Sequence, residues 1–99
     1  MTIKIGETYT FKLTSGEEVL GKVLEIQDNY VSLKDPVSVA PGPQGLGLMQ
    51  SMFTADPRDP ARLNINNVTI YALTDDSVKA KYIEATTGLV VPDKKIIMG

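Results

Sequence analysis

The stretch FKLTSGEEVLGKVLEIQDNYVSLKD, residues 11–35, carries the pattern that decides the fold. Apolar and polar residues alternate over residues 7–13, which is typical of a half-buried strand. A second alternating run covers residues 18–26, but its apolar phase changes near Gly21. Because a phase change within a strand requires a bulge or bend, and glycine often marks one, the pattern predicts a strongly bent hairpin.

The residues on either side of this hairpin predict turns and a third strand. Residues 14–17 include Gly16, which suits a tight hairpin turn, and residues 27–29 form a polar turn before Tyr30. Pro36 interrupts the third strand, yet the apolar residues after it keep the same alternation. We therefore expect the strand to continue past the proline as an edge strand.

The next part of the chain is rich in turn signals. Residues 40–47 hold two Pro and three Gly, which predicts a long mobile loop, either slack or the tip of a partner-binding hairpin. Residues 48–54 suggest a short strand, and residues 56–60 a turn-rich connector. Alternation returns at Leu63 and slips at residues 66–67 before it continues, which predicts a second kinked strand.

The end of the chain changes to a helical period. Asp75 or Asp76 suits a helix N-cap, and Gly88 suits the C-terminal stop. Apolar residues recur between them at helical spacing, so we expect one amphipathic helix over about residues 76–86. A short extended tail is expected over residues 89–99.

Length and strand pattern together favour one small β domain. A chain of 99 residues fits a single domain, here residues 1–99. Four or five short bent antiparallel strands suggest a small SH3-like or OB-like barrel over about residues 7–73, because closure removes exposed strand edges. The predicted fold class is therefore mainly β, with one C-terminal helix.

The composition excludes several kinds of site. The chain has no Cys and no His, which excludes thiolate nucleophiles, Cys/His zinc sites and Ser-His-Asp triads. We find neither metal-ligand spacing nor a carboxylate pair beside a nucleophile, and we expect no enzyme, no metal and no cofactor. The formal net charge of −2 indicates no polyanion partner, and no apolar run is long enough to span a bilayer. We expect a cytoplasmic protein without a membrane partner.

Residues 11–35 resemble the first signature motif of the Sm-like (LSm) proteins. The matching positions are Gly16, Gly21, Val23, Ile26, Leu33 and Asp35. The second signature normally contains Ile-Arg-Gly, for which this chain offers only INNV at residues 65–68 or IYA at residues 70–72. A helix after the strands and the ending YIEATTGLVVP, residues 82–92, look like the divergent small Sm-like proteins of marine bacteriophages of the cyanophage type.

This resemblance implies a five-stranded, highly bent SH3-like barrel whose edge strands pair between subunits. The result would be a homo-oligomeric ring of about five to seven copies, closed by a heterologous contact. Such rings hold single-stranded RNA at the pore, so the resemblance implies binding of single-stranded RNA or DNA and a role in nucleic-acid processing during phage infection. The alternative is a structural or protein-interaction module of a phage assembly.

The resemblance also implies which residues would contact the nucleic acid. By position, the candidate nucleic-acid-binding residues are Gln27, Asp28, Asn29, Tyr30, Arg62, Asn66 and Asn67. Tyr30 would stack on a base, and the amides of Asn29 and Asn67 would meet the edges of an unpaired base. The structural alternative is that residues 28–29 only form a turn, that Tyr30 packs on the surface and that residues 66–67 permit a bulge.

Two further groups of side chains have both functional and structural interpretations. Three lysines are better explained by a solvated strand face, although a ring would concentrate them on one face: Lys12, Lys22 and Lys34. A second group would form an apolar docking surface, a core or a subunit contact: Met49, Met52 and Phe53.

Overall fold

The computed structural model describes residues 2–88 as a bent antiparallel sheet with one helix. The elements are β1 (Thr8–Leu13), β2 (Glu18–Ile26), β3 (Tyr30–Gly42), β4 (Gly45–Gln50), β5 (Ala61–Asn64), a 3₁₀ turn (Ile65–Asn67), β6 (Val68–Leu73) and α1 (Asp76–Thr87). The strand order is β4-β3-β2-β1-β6, and β5 pairs separately with β3. The prediction of a mainly β fold with one C-terminal helix is confirmed.

Strand β2 bends where the sequence pattern changes phase. Its pairing with β3 shifts register twice, first across Gly21 and again across Leu24. Gly21 is buried, and a Cβ at this position would lie 3.1 Å from the Leu33 Cβ and 3.3 Å from the Lys34 carbonyl oxygen. The two strands approach this closely only because residue 21 lacks a side chain, which confirms the predicted bend.

Strand β3 continues through Pro36, as predicted, but not as the expected edge strand, because beyond the proline it lies between β2 and β4. An interior position is possible because the register shift opposite Gly21 leaves Pro36 without a paired residue on β2. Besides β2, the strand pairs with two further strands on its other side. Its first part, from Tyr30 to Leu33, pairs with β5, and its second part, from Val37 onward, pairs with β4. Between the two parts, Asp35 adopts a positive φ of 50°, in the left-handed region that Asp tolerates better than most residues. On the side away from β2, the strand therefore changes its partner from β5 to β4 at residues 35–36.

The mobile loop predicted over residues 40–47 is instead the tip of a β-hairpin. Ala40 pairs with Gly47 and Gly42 with Gly45, which leaves a two-residue turn between β3 and β4. Gly45 takes a φ of 106°, a conformation that glycine adopts without strain. These residues do form a turn, as predicted, but it is a tight turn between paired strands and not a mobile loop. The strand predicted over residues 48–54 ends at Gln50.

The predicted second kinked strand is two strands, so the sheet has six strands where five were expected. β5 pairs with β3, β6 pairs with β1, and the 3₁₀ turn joins them at the predicted slip. The Asn64 side chain caps this turn by accepting from the Asn66 backbone N–H at 2.9 Å. The described strands form a bent sheet that is not closed into the expected barrel.

The sheet buries apolar side chains on both faces. The inner core contains Ile3, Tyr9, Phe11, Val19, Val23, Val31 and Leu33, and side chains of the β5–β6 segment pack against it. On the other face, Leu20 and Val37 pack with Tyr82 of α1. The Tyr82 hydroxyl donates to the Lys34 carbonyl and accepts from the Lys22 backbone N–H at 3.1 Å, which attaches the helix to the bent part of β2 and β3.

The helix begins and ends close to the predicted positions. Asp75 is the N-cap, its carboxylate accepting from the backbone N–H groups of Ser77 and Val78, and Gly88 is a left-handed C-cap with φ 76°. No helix within residues 2–88 is long and apolar enough to cross a membrane. The tail expected over residues 89–99 lies outside the described residues.

Candidate functional site

The two predicted nucleic-acid-binding segments lie side by side. The turn between β2 and β3 is closed by the Gln27 backbone N–H, which donates to the Tyr30 carbonyl at 2.9 Å. The Asn29 carbonyl in this turn accepts from the Ile65 backbone N–H at 3.0 Å. Strand pairing also places Tyr30 opposite Asn64. The structure therefore brings the first predicted segment against the end of β5.

Register across β2, β3 and β5 defines one polar surface, called here the polar face. Its first row is Gln27, Tyr30 and Asn64, and its second row is Glu25, Ser32 and Arg62. The residues between these rows, Ile26, Val31 and Leu63, belong to or pack against the inner core. Because side chains alternate between the two faces of a strand, the six polar residues lie on the opposite face.

Tyr30 and Arg62 form a pair at the centre of the polar face. The guanidinium carbon of Arg62 lies 5.8 Å from the Tyr30 ring centroid, within the distance of a cation–π contact. Tyr30 is half-buried, whereas the Arg62 side chain is 53% exposed. The pair presents a planar cation and an aromatic ring together, the two groups on which unpaired bases stack.

Glu25 lies next to this pair and is held by two neighbours. One carboxylate oxygen accepts from the Ser32 hydroxyl at 3.2 Å, and the other accepts from the Gln27 side-chain amide at 2.7 Å. Ser32 is buried, while Glu25 and Gln27 are exposed. The ion pairs within residues 2–88 do not involve Glu25, so its negative charge has no basic partner there.

An acidic turn, residues 56–59, precedes β5 and adjoins the polar face there. The Asp56 carboxylate accepts from the Arg58 backbone N–H and guanidinium at 2.9–3.1 Å, and these bonds hold the pKa of Asp56 below its usual value. Further along the turn, Asp59 lies 3.8 Å from the Arg62 guanidinium. Arg62 therefore contacts an aromatic ring and a carboxylate.

The other predicted residues occupy different positions relative to Tyr30. Asp28 is exposed in the turn. Asn66 and Asn67 form part of the 3₁₀ turn, which is the structural role left open for them, although it is a turn and no bulge. The Asn67 carbonyl accepts from the Thr14 backbone N–H at 2.7 Å, so its backbone lies against the β1–β2 turn.

Sequence reasoning missed half of the polar face, namely Glu25, Ser32 and Asn64. The positions of Glu25 and Ser32 could have been predicted, because a two-residue turn after Gln27 fixes which residues of β2 and β3 lie opposite each other. The position of Asn64 could not, because it depends on pairing between β5 and β3, which are distant in sequence.

The lysines and the apolar group are on the surface. Lys22 and Lys34 are exposed cross-strand partners, whereas Lys12 lies opposite Glu18 on the neighbouring strand pair. The side chains of Met49, Met52 and Phe53 are 53%, 49% and 74% exposed, so they are not part of the core. Met49 and Met52 line a cleft of about 440 Å³ between β4, the acidic turn and the end of α1.

Within residues 2–88, no three carboxylate, Cys or His side chains are grouped so that they could hold a metal ion. No family model and no curated protein matches this chain.

Proposed function

We propose that this chain is an Sm-like homo-oligomeric protein that binds single-stranded RNA or DNA and acts in nucleic-acid processing. The observation that carries the proposal is the Tyr30–Arg62 pair beside the turn at residues 27–29. An aromatic ring next to a guanidinium is a stacking surface for an unpaired base, worth about 1–3 kcal/mol per base.

The charges near the polar face indicate that bases, more than phosphates, provide the affinity. Three carboxylates, Glu25, Asp28 and Asp59, lie on or beside the surface that carries Arg62. The whole chain also has a net charge of −2, so it gains little from neutralising phosphates. One subunit therefore binds with low affinity, and several linked copies are needed for avidity.

The two end strands of the sheet support assembly from several copies. β4 and β6 are the outermost strands of the ordered sheet, and neither GLGLMQ nor VTIYAL contains a charged residue or proline. Isolated edge strands normally carry such residues to prevent pairing with other chains. Each strand instead exposes large apolar side chains, Leu46 and Met49 on β4 and Ile70 and Leu73 on β6.

Pairing of β4 from one copy with β6 from the next would use two different surfaces. Such a heterologous contact propagates around a ring when the rotation between copies closes. We propose a closed ring of about five to seven copies, in keeping with the Sm-like resemblance. We further propose that it acts in the cytoplasm, that of an infected host if the chain is phage-encoded.

Nucleic-acid binding is tested by fluorescence anisotropy with labelled oligo-U and oligo-A at low and moderate salt. We expect binding at tens of micromolar or tighter in low salt, and at least a fivefold loss with Tyr30→Ala, the lower limit of what one stacked base contributes. Phe53→Ala is the matched control, because it removes an aromatic ring that is 74% exposed and is not part of the polar face. Unchanged affinity of the Tyr30→Ala protein would reject the assignment.

Assembly is tested by light scattering on wild-type protein and on Ile70→Lys. The two isoleucines at positions 70 and 5 are 62% and 64% exposed, but only Ile70 lies on an edge strand. A lysine at position 70 should therefore dissociate the oligomer, whereas Ile5→Lys should leave it intact. A wild-type monomer at micromolar concentration would remove the ring and the avidity that depends on it.

A structural or protein-interaction module of a phage assembly is the second candidate. It is favoured by the exposed Met49, Met52 and Phe53 side chains beside the 440 Å³ cleft, because apolar groups clustered on a surface are typical of protein contacts. The anisotropy experiment separates the two functions. If neither oligonucleotide binds in low salt, only the protein-interaction function remains.

A further inference from the structure

We infer that the polar face prefers guanine among the unpaired bases, and that the Glu25 carboxylate reads it. This inference rests on the proposed nucleic-acid binding and adds a specificity-determining residue to it.

Glu25 is a diagonal neighbour of Tyr30. Gln27 lies opposite Tyr30, and Glu25 lies opposite Ser32. Glu25 is therefore two residues away from the position opposite Tyr30, and its side chain is on the same face of the sheet. Diagonal side chains in an antiparallel pair are about 7–8 Å apart, within reach of long and aromatic groups. A base stacked on Tyr30 therefore has its edge close to the Glu25 carboxylate.

The Glu25 carboxylate is oriented and still has acceptor capacity. A carboxylate offers about four lone-pair positions. Two of them accept from the Ser32 hydroxyl and the Gln27 amide, one on each oxygen. Each oxygen therefore keeps a lone pair, and the two bonds already made fix the orientation of the group. This is the arrangement needed to accept two parallel N–H bonds.

Guanine is the base whose pairing edge supplies two adjacent donors, N1–H and the N2 amino group. Uracil presents one N–H donor between two carbonyl acceptors, and adenine and cytosine each place an amino group beside a ring-nitrogen acceptor. A carboxylate facing any of these three would meet at least one acceptor, which is repulsive. Splayed-out bases in single strands are recognised through this same edge.

The negative charge of Glu25 strengthens the preference for guanine. No basic side chain within residues 2–88 forms an ion pair with Glu25, so its charge is available to a donor of the ligand. Charge-assisted bidentate hydrogen bonds are stronger than neutral ones, and a good bidentate contact distinguishes bases by about 1–3 kcal/mol. At an exposed site we expect the lower part of this range, about a tenfold preference.

The test compares heptamer RNAs that contain adenine except at the central position, which is guanine, inosine, adenine or uracil. Wild-type protein should bind the guanine heptamer about tenfold tighter than the adenine one, with inosine between them, because inosine keeps N1–H and lacks the N2 amino group. This comparison uses unaltered protein, so it does not depend on the stability of a variant.

Glu25→Gln then identifies the residue. The amide has nearly the shape of the carboxylate but turns an NH₂ group toward the donors of guanine, so the guanine preference should fall below about threefold, a loss of more than half of the preference in free-energy terms. Glu84→Gln makes the same charge change at an exposed residue of α1 that is not one of the six residues of the polar face, and it should leave the guanine preference unaltered.

The outcomes separate this inference from the proposed function. Equal affinity for the guanine and adenine heptamers, or a guanine preference that Glu25→Gln retains, overturns the inference and leaves nucleic-acid binding in place. If none of the heptamers binds at tens of micromolar in low salt, the proposed function fails, and the inference fails with it.

Discussion

Replacing Tyr82 by phenylalanine tests how the helix is attached to the sheet. The Tyr82 hydroxyl donates to the Lys34 carbonyl and accepts from the Lys22 backbone N–H, and the residue is only 4% exposed. Phenylalanine keeps the ring packed against Leu20 and Val37 but removes both hydrogen bonds. The two backbone groups are then left beside a ring edge at the bent part of β2 and β3.

The expected loss follows from the two hydrogen bonds. Each contributes a net of about 0.5–1.5 kcal/mol, so the free energy of unfolding should fall by about 1–3 kcal/mol. For a domain of this size, each kcal/mol lowers Tm by about 4–8 °C. Tyr71→Phe is the control, because the Tyr71 hydroxyl accepts from the Thr2 backbone N–H at an exposed position. Its loss should stay within about 0.5 kcal/mol.

The pH dependence provides a second measurement on the same variant. Burial raises the pKa of Tyr82 to about 12, while the Lys22 N–H lowers it and the Asp35 carboxylate raises it further. The folded protein thus keeps this proton between pH 10 and 12, where the unfolded chain loses it. The stabilisation is complete below the unfolded pKa of about 10 and is lost as pH rises through 12, by at most about 1.4 kcal/mol per pH unit.

The assay is chemical unfolding followed by circular dichroism at one fixed protein concentration, from pH 7 to pH 11.5. Wild-type stability should decline above pH 10 more steeply than that of Tyr82→Phe, so the difference between them should shrink. Equal stabilities at pH 7, or parallel declines at high pH, would refute the assigned role of the Tyr82 hydroxyl.

Two further predictions concern the bend and the acidic turn. Gly21→Ala places a Cβ 3.1 Å from the Leu33 Cβ and should lower the free energy of unfolding by about 1–3 kcal/mol. Gly47→Ala is the control, because its nearest neighbour is 3.5 Å away, and it should cost less than about 1 kcal/mol. Similar losses for the two variants would argue against a tight bend. Asp59→Asn removes the carboxylate that lies 3.8 Å from the Arg62 guanidinium. Oligonucleotide binding in low salt should tighten about two- to fivefold, which is the free energy expected of a surface ion pair. Weaker binding by this variant in the anisotropy assay would contradict the role of Arg62.

The local features of the fold were predictable from sequence. Gly21 interrupts a period-two pattern, and this observation alone predicts the bend of β2 that the pairing with β3 shows. Asp75 and Gly88 likewise bound the helix by local capping, which requires no knowledge of the rest of the chain. In both cases, the physical cause lies within a few residues of the feature.

The features that depend on pairing between distant segments were not predictable. Pro and Gly at residues 40–47 suit a loose loop as well as the tight turn that β3 and β4 make, and only the partner strand decides between them. The pairing of β5 with β3 places Arg62 over Tyr30, although the β3–β4 hairpin separates these two residues in the sequence. The candidate site was therefore predicted by resemblance at residues 27–30 and 62, while Glu25 and Asn64 emerged from the sheet register.

Native mass spectrometry with and without a heptamer RNA shows whether this protein assembles and binds single strands. At micromolar concentration, we expect a single closed oligomer that takes up the heptamer, and a marked loss of this uptake when Tyr30 is replaced by alanine. Monomers alone, with no mass increase at tens of micromolar heptamer, would contradict it.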